Sequence, residues 1–133
     1  EHLSRHSDIQ LFVAVRWGFV RVGLYLNQED EELFNNLMVH LEGKDDVISQ
    51  ALDNALDAGV ELCQSMPSTF SGSLVQYHKS EETWRKEFEK RREIDLVKCW
   101  KISDPVLGSS SFVDDVLEAF DAIMPFYDIL LGT

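Results

Sequence analysis

The sequence is poor in cysteine and in basic residues, and it lacks a long apolar run. Its two cysteines, Cys63 and Cys99, are too few for a disulfide-rich scaffold and form no C-x-x-C pair. No stretch approaches the roughly 18 consecutive apolar residues of a transmembrane helix, and no secretory signal pattern is present. We therefore expect a cytoplasmic protein that has reduced cysteines and does not associate with membranes.

The scarcity of positive charge limits the classes of partner. Lysine and arginine number 12 against 24 acids, which gives a formal net charge of −12. Nucleic acids and anionic membranes are bound mainly through basic residues, so the composition disfavours both and favours a basic protein partner. Eight of the twelve basic residues lie between positions 79 and 101. A local basic patch, and with it nucleic-acid binding, is therefore not excluded by the acidic net charge.

The length suits one domain. The 133 residues are 44% hydrophobic, which is enough for a substantial core. Proline occurs only three times, and neither a repeat nor a linker divides the chain. We expect a single domain over residues 1–133. Because the first residue is Glu1 rather than Met, we expect a fragment of a longer protein or a processed chain.

The segment from Leu11 to Asn27 alternates between apolar and polar residues with period two, which is typical of half-buried strands. A hairpin loop at Gly18-Phe19 would suit a type II′ turn and would place Arg16 opposite Arg21. A loop at Trp17-Gly18 would shift the pairs but keep the same two faces.

The remaining segments predict alternating helices and strands. Residues 60–66 fit either a strand or a helix. The last helix carries an apolar stripe around Phe120, which we expect to pack on Trp17 and Val22. The predicted elements are a helix capped by Asn27, a helix from Asp45 or Asp46, a strand over 73–79, a helix over 80–93, a strand over 94–102, and a long helix over 111–131 with a capping box of Ser111 and Asp114. The order predicts an α+β fold: a mainly antiparallel sheet of the hairpin and two or three further strands, packed on one face by about four helices.

Two arginines opposite each other on a strand pair repel, so a compensating interaction is needed. One interpretation is an anion site on the open sheet face, formed by Arg16, Arg21 and Tyr25 and joined by Arg85 from the basic helix. The alternative is that each arginine pairs with an acid of this acidic chain.

Other candidate chemistry is weaker. The four histidines show no metal-ligand spacing, so neither a metal nor a cofactor is predicted. His40 is expected to be a packing residue, and Cys99 a buried thiol. His78 would be catalytic only if a partner lay within hydrogen-bond distance.

The leading hypothesis is a non-catalytic protein-interaction module with an acidic surface, of the inhibitor or immunity type or an accessory domain, for a basic partner. The alternative is a ligand- or nucleic-acid-recognition domain that uses an Arg16/Arg21 anion site. A weaker alternative is a small enzyme that uses His78.

Overall fold

The fold is of the α+β class, with an antiparallel sheet, helices on one of its faces and a long C-terminal helix, as the sequence predicts. A computed structural model describes residues 7–16, 18–64, 75–76, 85–86, 88–90 and 92–132. The strands are β1 (Ser7–Arg16), β2 (Phe19–Gln28), β3 (Glu61–Gln64), β4 (Val75–Gln76) and β5 (Glu93–Lys101). The helices are α1 (Glu31–His40), α2 (Asp45–Asp57) and α3 (Phe112–Leu131), with a 3-10 turn at Pro105–Gly108.

In the described part of the chain, the sheet has five strands in the order β1-β2-β5-β3-β4, and every neighbouring pair is antiparallel. The hairpin of β1 and β2 therefore forms one edge of the sheet, with β1 as the outermost strand. β5 enters between β2 and β3, although it follows both of them in the chain. This position brings the side chains of β5 next to those of the hairpin.

The hairpin register differs from the first of the two predicted ones. Arg16 pairs with Phe19, and Arg21 pairs with Ala14, so the two arginines are not opposite each other. Only two positions separate the paired residues Arg16 and Phe19. The second of them, Gly18, has a φ of +80°, a conformation that glycine adopts without strain. The alternative register is thus the correct one, and it keeps the two predicted faces.

Other helix and strand boundaries also differ from the predicted ones. α1 is capped by Asp30, whose Oδ1 accepts a 3.0 Å hydrogen bond from the Leu33 amide, and not by Asn27, because β2 continues through Gln28. Within the ambiguous segment over 60–66, residues 61–64 form β3, and residues 65–66 lie outside the described residues. Glu93 begins β5 and does not end a helix. Ser111 precedes α3 but makes no side-chain capping bond.

Two predicted elements, the helix over 80–93 and the strand over 73–79, are only partly covered by the described residues. Within the predicted helix over 80–93, residues 85–86 and 88–90 are helical, and within the predicted strand over 73–79, residues 75–76 form β4. Trp17 and His78 lie outside the described residues.

The core fills the space between the sheet and the helices. Val22, on β2, is fully buried against Ala119 of α3, and Phe120 packs there with partial exposure. The predicted contact of Val22 with the C-terminal helix is therefore confirmed. The larger part of the core lies further along α3, where the fully buried side chains include those of Leu24, Leu26, Leu41, Ile48, Leu52, Phe88, Ile94, Leu96, Ile123 and Phe126.

Candidate functional site

A pocket of about 380 Å³ lies on the sheet face opposite the helices. Alternate residues of β1 form one wall, because side chains two positions apart share a face. At about 3.3 Å per residue, the wall from Gln10 to Arg16 is about 20 Å long. The residues that line the pocket are Gln10, Phe12, Ala14, Arg16, Arg21, Tyr25 and Asp95.

The most buried charged side chains among the described lining residues form an ion pair between β2 and β5. Nη2 of Arg21 lies 2.8 Å from Oδ2 of Asp95, and both side chains are almost completely buried. The guanidinium also lies 5.6 Å from the centre of the Phe12 ring. The interpretation that an acid compensates the arginine thus holds for Arg21, since Asp95 neutralises its charge inside the sheet.

The other predicted site residues have different positions. Arg16 lies at the turn end of β1, is exposed, and lines the same pocket as Arg21 and Tyr25. Arg85 does not line it. Its Nη2 lies 2.7 Å from Oδ1 of Asp45, the first residue of α2, which places Arg85 on the helix-bearing side of the sheet. The structure therefore brings together three of the four predicted residues.

A hydrogen-bonded network lies beside the ion pair. The Tyr25 hydroxyl donates to Oε2 of Glu93 at 3.1 Å and accepts from Nδ2 of Asn27 at 2.7 Å. Burial raises the pKa of Tyr25 from 10.0 to about 12, and the negative charges of Glu93 and Asp95 add to this rise. The phenol is therefore protonated at neutral pH and holds Glu93 in place. Oδ1 of Asn27 is buried and has no hydrogen-bond partner among the described residues.

Cys99 pairs with Arg21 in the sheet register, on the same face. Burial raises the pKa of its thiol from 9.0 to about 11, and the nearby Arg21 only partly offsets that rise. Because the thiolate is the reactive form, Cys99 is a poor nucleophile at neutral pH. Cys99 is half-buried, so a packing role is supported, but the full burial that the sequence predicts is not observed.

The sheet beneath the pocket is unusually tight at Gly23. A Cβ atom at this position would overlap the carbonyl oxygen of Leu96 and would lie 2.9 Å from Cα of Val97. No side chain fits at such distances, so glycine is required for the close approach of β2 and β5. The narrow spacing holds the two strands that carry Arg21 and Asp95 in a fixed relation.

The described lining of the pocket combines charged, polar and aromatic groups. The described lining residues offer a guanidinium, an ion pair, a phenol, an amide and an aromatic ring, and they include no serine, cysteine or histidine. Within the described ranges, no group of three or more His, Cys, Asp or Glu residues is arranged to hold a metal ion.

Sequence reasoning missed Asp95, which completes the pocket. One signal was present: Asp95 interrupts an otherwise apolar run from Ile94 to Val97. A charged residue within a buried strand requires a partner. The sequence could not identify that partner, because Arg21 lies 74 residues away along the chain.

Comparison with known proteins does not assign the chain to a family. No family model matches the chain, and neither a curated protein nor a solved structure is significantly similar to it. Within the part of the chain that the structure describes, no helix has the length and apolar character needed to span a membrane.

Proposed function

We propose that this protein is a recognition domain that binds a small organic anion in the pocket on the sheet face opposite the helices. The observation that supports this proposal most is the convergence of Arg16, Arg21, Phe12 and Tyr25 on one pocket. Its volume of about 380 Å³ falls in the size range of small-molecule sites, which is about 300–1,000 Å³.

The lining favours a ligand with a charged end, a flat middle and a polar end. The exposed guanidinium of Arg16 suits a phosphate or carboxylate, which it can bind through two parallel hydrogen bonds. Phe12 and Ala14 offer an apolar surface for a planar group. At the other end, the exposed Gln10 amide offers a hydrogen-bond acceptor and two donors to polar groups of the ligand.

The length of the pocket argues against a simple inorganic ion. A wall of about 20 Å exceeds the size of a phosphate ion several-fold. A nucleoside monophosphate combines all three ligand features, and it is also the repeating unit of a nucleic acid. We therefore choose it as the probe, with nucleosides, inorganic phosphate and a short single-stranded oligonucleotide as comparisons.

Thermal melting with and without these probes tests the proposal. Ligand binding to the native state stabilises it by mass action, so a concentration about tenfold above Kd should raise Tm by roughly 5 °C. We expect a rise with nucleoside monophosphates, and none with nucleosides or inorganic phosphate beyond a general salt effect. A rise with the oligonucleotide alone would instead identify a nucleic-acid site.

Two arginine variants supply the control. Arg16→Gln removes the exposed cation of the pocket and should abolish the rise in Tm. Arg85→Gln removes one positive charge on the other side of the sheet and should leave it unchanged. If no probe raises Tm, or if both variants respond like the wild type, the pocket is not an anion site.

A second candidate function is the binding of a basic protein. α3 contains five acids and no basic residue, and it exposes the apolar side chains of Val113 and Leu117. Acidic surfaces steer basic partners and accelerate association at low salt. An association rate that falls steeply as salt is added would support this function, and a rate independent of salt would contradict it.

A further inference from the structure

The outer edge of β1 has none of the features that usually protect a strand edge. β1 stands last in the sheet, and among the described residues it pairs with β2 alone. Its ten pairs with β2 follow one continuous register, so no bulge interrupts the strand. Its two charged residues are Asp8 and Arg16, and the seven residues between them include neither a charge nor a proline. Because the backbone groups of an unprotected edge pair readily with another strand, we expect this edge to be paired.

The helix-bearing face of β1 becomes more exposed toward the hairpin turn. Ile9 packs against the core, whereas Val13 and Val15 are 61% and 66% exposed. All three share this face, because side chains two positions apart point to the same side of a sheet. α3 packs mainly on β2, which leaves this end of β1 uncovered by the described residues.

The flank of α3 toward β1 carries no charge. Pro125 and Ile129 line a groove with α2, so they mark the α2 side of the helix. Each residue advances by about 100° around a helix. The apolar row, which lies on the opposite side, consists of Val113, Phe120, Met124 and Leu131. None of the five acids of α3 belongs to it. This side of the molecule therefore favours an apolar contact, despite the net charge of −12.

β1 is complementary to itself in one antiparallel register. Around a two-fold axis at Phe12, residues of two copies that are equally distant from Phe12 face each other. Leu11 of each copy then stands opposite Val13 of the other, and Ile9 stands opposite Val15. With the axis perpendicular to the sheet, the helix-bearing faces of both copies lie on the same side. All four of these cross-strand pairs are therefore apolar pairs on that face.

The charged residues of β1 select this register. Asp8 stands four positions before Phe12 and Arg16 four positions after it, so each is opposite the other in the paired strands. Residues of opposite charge that face each other across two strands attract. The smallest shift that keeps both faces is two residues, and it separates Asp8 from Arg16. The strand thus matches a second copy of itself in both charge and apolar pattern.

We propose that this protein forms a two-fold symmetric dimer in which β1 pairs with β1 of a second copy. The two sheets join into one continuous sheet that carries the helices of both copies on a single face. A two-fold interface requires one self-complementary patch, and β1 together with the apolar row provides it. The proposal goes beyond anion binding and basic-protein binding, and it depends on neither.

Strand spacing explains how the dimer covers the exposed valines. β2 and its counterpart in the second copy are three strand spacings apart, which is about 14 Å. A helix with its side chains is about 10–12 Å wide, so the two α3 helices nearly meet above the paired β1 strands. Their apolar rows then face each other over Val13 and Val15. Apolar side chains of both copies cover these valines, and the helices enlarge an interface that a strand pair alone would keep small.

The dimer is compatible with the pocket. The residues of β1 that line the pocket lie on the face opposite the helices, so the two pockets adjoin at the axis, where Phe12 of each copy stands. Arg16 carries five N–H donors, and pairing with Asp8 of the second copy leaves donors for an anion. Variants on the helix-bearing face therefore test the dimer without changing the pocket.

Sedimentation equilibrium at physiological salt tests the dimer, because salt screens the repulsion between two acidic copies. We expect the average mass to rise from that of one chain toward that of two, with a Kd on the order of 10 μM for an interface of modest size. The mass of a single chain at every concentration up to about 0.5 mM would overturn the proposal.

Two lysine variants test the position of the interface. Val13→Lys should weaken dimerisation at least tenfold, because pairing would bury a charge among apolar side chains. Val39→Lys is the matched control, since Val39 is comparably exposed on α1, and it should leave the Kd within about twofold of the wild type. Both sites are exposed, so both variants should fold, which thermal melting verifies. An equal effect in the two variants, or none with Val13→Lys, would overturn the proposal.

A charge exchange tests the register. Arg16→Glu places two acids opposite each other at both ends of the strand pair and should weaken dimerisation roughly tenfold. Asp8→Lys combined with Arg16→Glu restores opposite charges and should return the Kd to within about threefold of the wild type. A general effect of charge or of stability gives no such recovery. If the double variant dimerises no better than Arg16→Glu alone, the two residues do not meet and the proposed pairing is wrong.

Discussion

Arg21 and Asp95 form a buried ion pair across two neighbouring strands, with 2.8 Å between Nη2 and Oδ2. Removal of one partner leaves the other charge buried without compensation. We therefore expect Arg21→Met to reduce the free energy of unfolding by about 3–5 kcal/mol in urea denaturation. The double variant Arg21→Met/Asp95→Leu should regain most of that loss, because no uncompensated charge remains.

Arg16 serves as the comparison for this prediction. It is exposed on β1, and exposed substitutions usually change stability by less than about 0.5 kcal/mol. Arg16→Gln should therefore unfold close to the wild type. If Arg21→Met costs no more than Arg16→Gln, burial of the ion pair contributes nothing to stability.

Gly23→Ala tests the close approach of β2 and β5. The added methyl group would overlap the Leu96 carbonyl oxygen, so the strands must separate. Overpacking of this kind costs about 1–3 kcal/mol or more. Gly108→Ala is the control, because nothing lies within 4 Å of a Cβ at that position. The control should be neutral or slightly stabilising, and a similar loss in both variants would contradict the tight spacing.

The two phenylalanines of α3 should differ in their contribution to stability. Phe126 is 1% exposed in the main core, whereas Phe120 is only partly buried. Phe126→Ala should reduce the free energy of unfolding by about 3–5 kcal/mol. Phe120→Ala should cost clearly less, since part of its ring already contacts water. The reverse order in chemical denaturation would show that the contact with Val22 dominates the packing of α3.

Tyr25 makes the protein sensitive to alkaline pH. The folded protein holds the phenol pKa near 12, above the value of 10.0 in an unfolded chain. Keeping the Tyr25 phenol protonated contributes to the stability of the folded state. This contribution is fully present below pH 10 and is lost between pH 10 and 12, because the unfolded chain releases the proton first. We expect Tyr25→Phe to lose less stability than the wild type over this interval, measured by urea denaturation at a series of pH values.

At neutral pH the same variant should be less stable than the wild type, because Asn27 Nδ2 loses its acceptor. The expected cost is about 1 kcal/mol. Parallel alkaline curves for the wild type and Tyr25→Phe would mean that the phenol does not carry the pH dependence.

Local patterns in the sequence account for most of the fold. Period-two alternation identified β1 and β2, and the apolar stripe of α3 identified the long helix. The hairpin register was harder to predict, because Gly18 suits either position of a two-residue loop. Asn27 was mistaken for a helix cap, since a short polar side chain also occurs inside a strand when it has a partner such as Tyr25.

The candidate site was only partly predictable. The shared face of Arg16, Arg21 and Tyr25 follows from strand alternation alone. The role of Asp95 depends on which strand lies beside β2, and no local pattern encodes that choice. Arg85 was assigned to the wrong side of the sheet, because the sequence does not fix on which face a helix between two strands will pack.

The insertion of β5 beside β2 has a consequence for how the chain acquires its structure. The pairs run from Asn27 with Glu93 to Phe19 with Lys101, so a long loop must close before the centre of the sheet exists. Such distant contacts slow folding. At a synthesis rate of about 5–20 residues per second, the ribosome exposes the hairpin for on the order of ten seconds before β5 emerges. During that interval β2 lacks both β5 and α3, the helix that packs on its apolar face. We expect nascent protein to depend on chaperones until residue 131 has been made.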